Sequence, residues 1–200
     1  MKFSVNQKDL QQSLGYCQGV IEKRSTLPIL SNILIEAHDS KLKITATDLD
    51  LIFVNEIQNV EVIEEGKTPT TSSTLYDIIR KFSSGKKINF NLTSENKIQI
   101  ESEKSVFNLN CMSATEFPLT DENFNENEFT INAKQFLKLL NKCKFSISND
   151  ETRHYLSGIY IHQNHIEEKS YLTAAATDSH RTVSYTHLRA HETKANLVWR

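Results

Sequence analysis

The sequence predicts an α+β fold made of a duplicated domain, in which two helices cover one face of antiparallel sheets. An internal repeat predicts the duplication: FSVNQKDLQQSLGYCQ from Phe3 and FTINAKQFLKLLNKCK from Phe129 align without a gap at an offset of 126 residues. Short runs such as KLKITAT, KINFNL and KIQIES alternate polar and apolar residues, which predicts strands. A repeat of this length suits a small domain and exceeds the period of a solenoid.

The register of the repeat continues beyond these first segments. LSNILI at Leu30 meets LSGIYI at Leu156 at the same offset. After a four-residue insertion, TATD at Thr45 meets AATD at Ala175. Matching segments that follow one another in the same order indicate a duplicated structural unit rather than a single irregular domain.

Three segments carry apolar residues at three- and four-residue spacing, which predicts helices. The first helix is expected over about residues 7–22, and its counterpart in the repeat over about residues 133–144. The third is expected to begin after the cap candidates Ser72 and Ser73 and to end before Gly85. One complete unit is therefore a strand, a helix, a group of strands, a second helix and further strands.

Composition predicts an ordinary globular protein. The chain has 200 residues, of which 38% are hydrophobic and 24% are charged, and its net charge is −2. No run approaches the length of a membrane span and the N-terminal segment lacks the apolar stretch of a signal peptide, so we expect a cytoplasmic protein without membrane contact. With this net charge, any binding to nucleic acid must depend on how the charges are arranged.

The sequence offers no common catalytic or ligand-binding motif. It contains no GxxxxGK[ST], GxGxxG, HExxH or CxxC pattern, so we expect no cofactor and no metal. Cys17 and Cys143 are counterparts in the repeat on apolar helix sides, which predicts reduced core thiols. The acidic stretch FPLTDENFNENE interrupts the pattern and predicts a first domain over residues 1–120, a linker over 121–128 and a second domain from residue 129.

The nearest approach to a reactive cluster is TDSHR, for which three interpretations are open. An enzyme, such as a hydrolase, would use Ser179 as nucleophile and His180 as base, but neighbours in an extended strand point to opposite faces. A strand end followed by a turn would use Asp178 to cap the backbone, and Asp48 occupies the same place in the first copy. A recognition corner would use His180 and Arg181 at the edge of a partner-binding pocket.

Five segments together resemble one known family. They are MKFSVNQKDL, RSTLPILSNILIEA, LKITATDLDL, SATEFPL, and RHYLSGIYI with ATDSHR, and they resemble the bacterial DNA sliding clamps, the beta subunits of DNA polymerase III, over residues 1–181. The resemblance implies the DNA-clamp fold and a homodimeric ring whose subunits each hold three copies of one domain. It also implies a non-catalytic processivity factor that slides on duplex DNA and tethers the replicative polymerase, the clamp loader and other clamp-binding proteins.

A sliding ring needs attraction to phosphates without base readout, and the basic residues of this chain are biased toward the predicted helices. Arg24 matches a position where clamps contact DNA. The loop SNDETR, which contains Asn149, matches a loop that approaches DNA, although Asp150 and Glu151 are acidic. The residues predicted to face DNA are Lys23, Arg24, Arg80, Lys81, Lys138, Lys142 and Asn149.

The resemblance also implies two protein-binding surfaces. VFNLNC resembles the edge strand of the dimer interface, and its predicted contact residues are Lys104, Phe107 and Leu109. The alternative is that Phe107 and Leu109 pack within their own domain. One wall of a peptide-binding pocket is predicted from Leu156, Thr177, Ser179, His180 and Arg181. Clamps often carry glycine at the position of Ser179, and the other wall of the pocket belongs to a third domain.

The last segment, residues 182–200, departs from the clamp pattern. SYTHLRAHET resembles the in-frame translation of a transposase-type sequencing adapter, which predicts a non-native tail and a truncated second domain over 129–181. Phe136, Leu140, Ile159 and Ile161 would then lack part of their cover. His187 and His191 at helical spacing would suggest a metal site, but two ligands are a weak signal. A free-standing two-domain DNA-binding or adaptor protein is the alternative function.

Overall fold

The computed structural model describes five stretches of the chain, which are residues 1–21, 27–93, 96–118, 131–166 and 169–189. It divides into two compact units, Met1–Asp121 and Glu122–Arg200. The predicted linker, residues 121–128, lies outside the described residues. In the described part of the chain, no helix is long and apolar enough to cross a membrane.

The first unit contains nine strands and two α-helices within its described residues. In chain order these are β1 (Lys2–Asn6), α1 (Gln7–Cys17), β2 (Asn32–His38), β3 (Lys41–Thr47), β4 (Ile52–Ile57), β5 (Glu61–Glu64), β6 (Gly66–Thr71), α2 (Ser72–Ile79), β7 (Lys87–Leu92), β8 (Lys97–Ser102) and β9 (Ser105–Asn110). The strands form two antiparallel sheets with the orders β5-β1-β7-β8-β9 and β4-β3-β2-β6.

Alternation along the strands directs one side of each sheet into a single core. In β1, Phe3 and Val5 are buried, and the Phe3 ring stacks on Phe90 of β7 with centroids 4.7 Å apart. In β3, Leu42, Ile44 and Ala46 are fully buried. This core is the two-sheet interior that the alternating runs predict.

Helix α1 begins and ends for local reasons. Its N-cap is Asn6, whose side chain accepts a hydrogen bond from the Lys8 amide at 2.9 Å. The helix ends at Cys17, five residues before the predicted end. Gly19 has low helix propensity, and its amide donates to the carbonyl of Tyr16 at 3.2 Å, which tightens the chain into a turn.

The second unit contains one α-helix and three strands within its described residues: α3 (Ala133–Cys143), β10 (Tyr160–Ile166), β11 (Lys169–Thr177) and β12 (Thr182–Arg189). The strands form one antiparallel sheet in the order β10-β11-β12. The core of this unit is small and consists of Leu139, Cys143, Leu172, Ala174 and Ala176.

The segment after Arg181 continues the sheet. Residues 182–189 pair with β11, and Val183 and Tyr185 pack against the core of the second unit. The expectation that the second unit lacks cover after residue 181 is therefore wrong for Val183 and Tyr185, because the alternating apolar residues of this segment suit an edge strand. Its non-native origin stays a prediction. His187 lies in β12 rather than on a helix, while His191 lies outside the described residues.

Candidate functional site

The TDSHR segment forms a tight turn at the end of β11. Asp178 Oδ1 accepts hydrogen bonds from the amides of His180 at 3.0 Å and Arg181 at 2.9 Å. Thr177 Oγ1 accepts from the Ser179 amide at 3.2 Å. A carboxylate that accepts two backbone amides fixes the turn in the way an Asx-turn does. The prediction that Asp178 caps the backbone is confirmed.

The first copy forms the same turn at the end of β3. Asp48 Oδ1 accepts from the amides of Asp50 at 3.1 Å and Leu51 at 2.7 Å, and Thr47 Oγ1 accepts from the Leu49 amide at 3.0 Å. Leu49 and its counterpart in the second copy also share a left-handed backbone, with φ of 83° and 75°. This agreement, bond by bond, supports the duplication independently of the sequence alignment.

The geometry does not support Ser179 and His180 as a nucleophile and base. Ser179 Oγ accepts its hydrogen bond from Arg153 Nη1 at 3.2 Å, and the two neighbours are committed to the turn. The left-handed φ of Ser179 is a conformation that glycine adopts without a Cβ penalty. The position therefore favours glycine for a backbone reason, and Ser179 carries a local strain in this chain.

Two carboxylates near this turn are held in their charged form. The Arg181 amide is the largest cause that lowers the pKa of Asp178, followed by smaller contributions that include the His180 amide. The hydroxyl of Thr152 is the largest cause that lowers the pKa of Asp150. Arg181 also lies over the Phe145 ring, with its guanidinium carbon 5.5 Å from the ring centroid.

An apolar cavity of 420 Å³ lies within the second unit, beside this turn. Leu156 and Thr177, both predicted for the peptide pocket, contribute to its lining, whereas Ser179, His180 and Arg181 do not. The role of these three residues in the pocket stays a prediction.

Sequence reasoning missed two tyrosines that also line the cavity. Tyr155 is 73% exposed and Tyr160 is 69% exposed. Large aromatic side chains at such exposure favour a recognition surface. Their spacing on either side of LSGI was the signal available in the sequence.

Strand β9 lies at the edge of the five-stranded sheet, where its described sheet partner is β8. Leu109 is half-buried and packs against the core, so for this residue the structure agrees with packing inside its own domain. Phe107 is 39% exposed, and its ring meets Phe82 at a centroid distance of 5.9 Å. Val106, which the prediction omitted, is 51% exposed, and Lys104 is also exposed. The edge therefore presents apolar side chains together with strand backbone.

Four of the predicted DNA-facing residues lie on or directly after helices, and the two helices differ in their acidic residues. Arg80 and Lys81 follow α2, and Arg80 is paired with Asp77 at 3.2 Å. Lys138 and Lys142 are exposed on α3, which also carries Lys134 and has no acidic residue.

The remaining predicted DNA-facing residues lie in loops. Asn149 is exposed and precedes Asp150, which is paired with Arg153 at 3.1 Å. Lys23 and Arg24 lie outside the described residues.

Two family models match the chain in succession. The N-terminal domain of the DNA polymerase III beta subunit matches residues 1–121, and the central domain of the same subunit matches residues 130–198. The chain belongs to the DNA polymerase III beta-subunit family. The match to the central domain extends through β12 and beyond the predicted departure point at residue 182.

Relatives in this family carry the name beta sliding clamp. The chain is 34% identical to the Caulobacter vibrioides protein over 183 residues, 36% identical to that of Rickettsia felis over 181 residues and 33% identical to that of Escherichia coli K12 over 181 residues. Each alignment covers 90% of this chain and, respectively, 49%, 46% and 48% of the relative. The chain thus spans about half the length of the curated relatives that it matches.

Solved clamp structures share the fold. A Caulobacter crescentus beta sliding clamp with PEG bound superposes with a TM-score of 0.90 at 32% identity, covering 95% of this chain and 50% of that one. The Bartonella birtlesii clamp bound to griselimycin gives a TM-score of 0.85 at 33% identity, with coverage of 95% and 50%. The predicted α+β clamp fold is therefore confirmed.

Proposed function

We propose that this chain is the N-terminal half of a non-catalytic processivity clamp, a homodimeric ring that slides on duplex DNA and tethers the replicative polymerase to it. The observation that carries the proposal is the succession of two beta-subunit domains, in family order, on two copies of one structural unit. Duplication suits a ring, because repeated units joined head to tail close when their rotation allows it.

The charge on α3 supports contact with DNA in particular. Lys134, Lys138 and Lys142 recur every four residues and therefore form one exposed row along the helix. Lysine ammonium groups attract phosphates as point charges and do not read bases. A row of this kind holds duplex DNA while allowing it to move along the helix face.

Two surfaces support protein partners. The open edge of β9, with Val106 and Phe107 exposed, suits strand-to-strand pairing with a second subunit. The apolar cavity beside Leu156 and Tyr160 suits the apolar side chains of a short linear peptide from a polymerase, the clamp loader or another clamp-binding protein. One relative, the Bartonella birtlesii clamp, is known bound to a ligand, griselimycin.

The test uses the complete protein, a clamp loader and a nicked circular plasmid. After gel filtration in moderate salt, the ring should remain with the circular plasmid and should be lost when a restriction enzyme linearises it. A topological link breaks at a DNA end, whereas a surface contact does not. Equal retention on circular and linear DNA would identify an ordinary DNA-binding or adaptor protein instead. Loss from both would remove the clamp proposal.

A further inference from the structure

The repeat places two neutral residues of α1 at the positions of two lysines of α3. At the offset of 126 residues, Gln12 aligns with Lys138 and Tyr16 aligns with Lys142. All four side chains are exposed, and Tyr16 is 55% exposed. Counterpart helices of a duplicated unit thus present different chemistry on the same face.

The two neutral residues are joined by a hydrogen bond. Gln12 Nε2 donates to Tyr16 Oη at 2.9 Å. A phenol hydroxyl can accept one hydrogen bond at its oxygen and donate another through its hydrogen. The accepted bond polarises the hydroxyl and strengthens the bond that it donates. The Tyr16 ring is supported by Phe53, with ring centroids 6.2 Å apart. Both contacts hold the phenol oxygen at the surface of α1, and the bond from Gln12 leaves the hydroxyl hydrogen available for donation to a ligand.

The surroundings of this pair carry little charge. Helix α1 has one basic residue, Lys8, and one acidic residue, Asp9, whereas α3 has three lysines and no acidic residue. Gln12, Tyr16 and Lys8 line a groove of 470 Å³ that Tyr76 of α2 also borders. Hydroxyl and amide groups contact phosphates in many protein–DNA interfaces without neutralising them.

We propose that Gln12 and Tyr16 form a neutral phosphate-contact pair, in which the amide orients the phenol and the Tyr16 hydroxyl donates to a DNA phosphate oxygen. This inference rests on the proposed function. The two units then differ in how their DNA contacts depend on salt. The contribution of α3 depends strongly on the salt concentration, whereas the contribution of α1 depends on it only weakly. The contact between α1 and DNA therefore persists at salt concentrations that screen the charges of the α3 lysines.

The test is a salt titration of DNA binding by the complete protein, in which the fluorescence anisotropy of a labelled duplex measures the binding. Tyr16→Phe keeps the ring and removes the hydroxyl, so it should weaken binding about two- to tenfold at every salt concentration and leave the salt slope unchanged. The matched control is Lys142→Ala, which should reduce the slope by about 0.9. Tyr16→Lys should increase the slope by about the same amount.

The outcomes separate this inference from the function on which it rests. If Lys142→Ala weakens DNA binding and Tyr16→Phe does not, the Gln12–Tyr16 hydrogen bond is only a contact within α1, and the inference is overturned. The proposed contact of α3 with DNA is then still supported. If the complete wild-type protein and its Tyr16→Lys variant both fail to bind the duplex at low salt, the helices do not form a DNA-facing surface, and the proposed contact of α3 with DNA is overturned together with this inference. Circular dichroism melts of each variant check that the fold is retained.

Discussion

The small core of the second unit makes Leu139→Ala the sharpest test of its packing. Leu139 is fully buried, but its partners Phe136, Ile147 and Ile161 are only half-buried and can move into the space. Leucine-to-alanine changes in cores cost about 2–5 kcal/mol, with the lower values where the site can collapse, so we expect about 2–3 kcal/mol here. Hydrogen exchange should then accelerate about 30- to 150-fold in α3 and β11, or lose its protection altogether.

Leu14→Ala is the matched change in the first unit. Leu14 is fully buried among residues such as Leu10, Ile33 and Leu75 that are also fully buried, so the cavity should persist and cost about 3–5 kcal/mol. Each variant should change exchange only in its own unit when peptides are followed by mass spectrometry. Acceleration of both units by Leu139→Ala, or a change smaller than about threefold in α3, would contradict the view that each unit has its own core.

Three further predictions concern the thiols, the turn and the sheet edge. In native protein at pH 8, a thiol reagent should modify Cys111 first, because burial raises the pKa of Cys17 to about 12 and also raises that of Cys143; the count of reacted thiols measures this. The lowered pKa of Asp178 stabilises the fold at neutral pH, and that stability should be lost as the pH falls below about 4. The free energy of unfolding of Asp178→Asn should therefore fall less between neutral and acid pH than that of the wild type. Phe107→Glu removes the ring contact with Phe82 and should lower the circular dichroism melting temperature modestly without unfolding the domain, yet should convert the proposed homodimer of the complete protein to monomers in sedimentation.

Much of the fold follows from local patterns. The apolar spacing that predicts the first helix is that of Leu10, Leu14 and Cys17, and all three are fully buried. The C-terminal boundary of α1 was not predictable from apolar spacing, because Ile21 also packs against the core, although it does so from a turn. Apolar spacing predicts which side chains are buried, but it does not predict whether the backbone at each of them is helical or forms a turn.

The candidate sites were predictable in part. The Thr-Asp pair identified the turn at the end of β11, because the hydrogen bonds of an Asx-turn are local in sequence. The cavity was not predictable, because Tyr155 and Thr182, which both line it, are 27 residues apart in sequence and the pairing of β11 with β12 sets the place of Thr182. For β9, alternation could not decide between core and interface. The structure assigns Leu109 to the core and leaves Phe107 partly exposed.

The duplicated turn explains how two copies of one unit can diverge without losing their fold. In both copies the threonine and aspartate side chains supply the hydrogen bonds that hold the backbone, so these bonds do not depend on the side chains of the next three residues. The first copy fills them with Leu49, Asp50 and Leu51, and the second fills them with Ser-His-Arg. The left-handed residue is the exception, because a side chain there is strained in both copies. A polar sequence at this corner of the second unit is therefore compatible with the fold but is not required by it, which favours a role in recognition rather than stability.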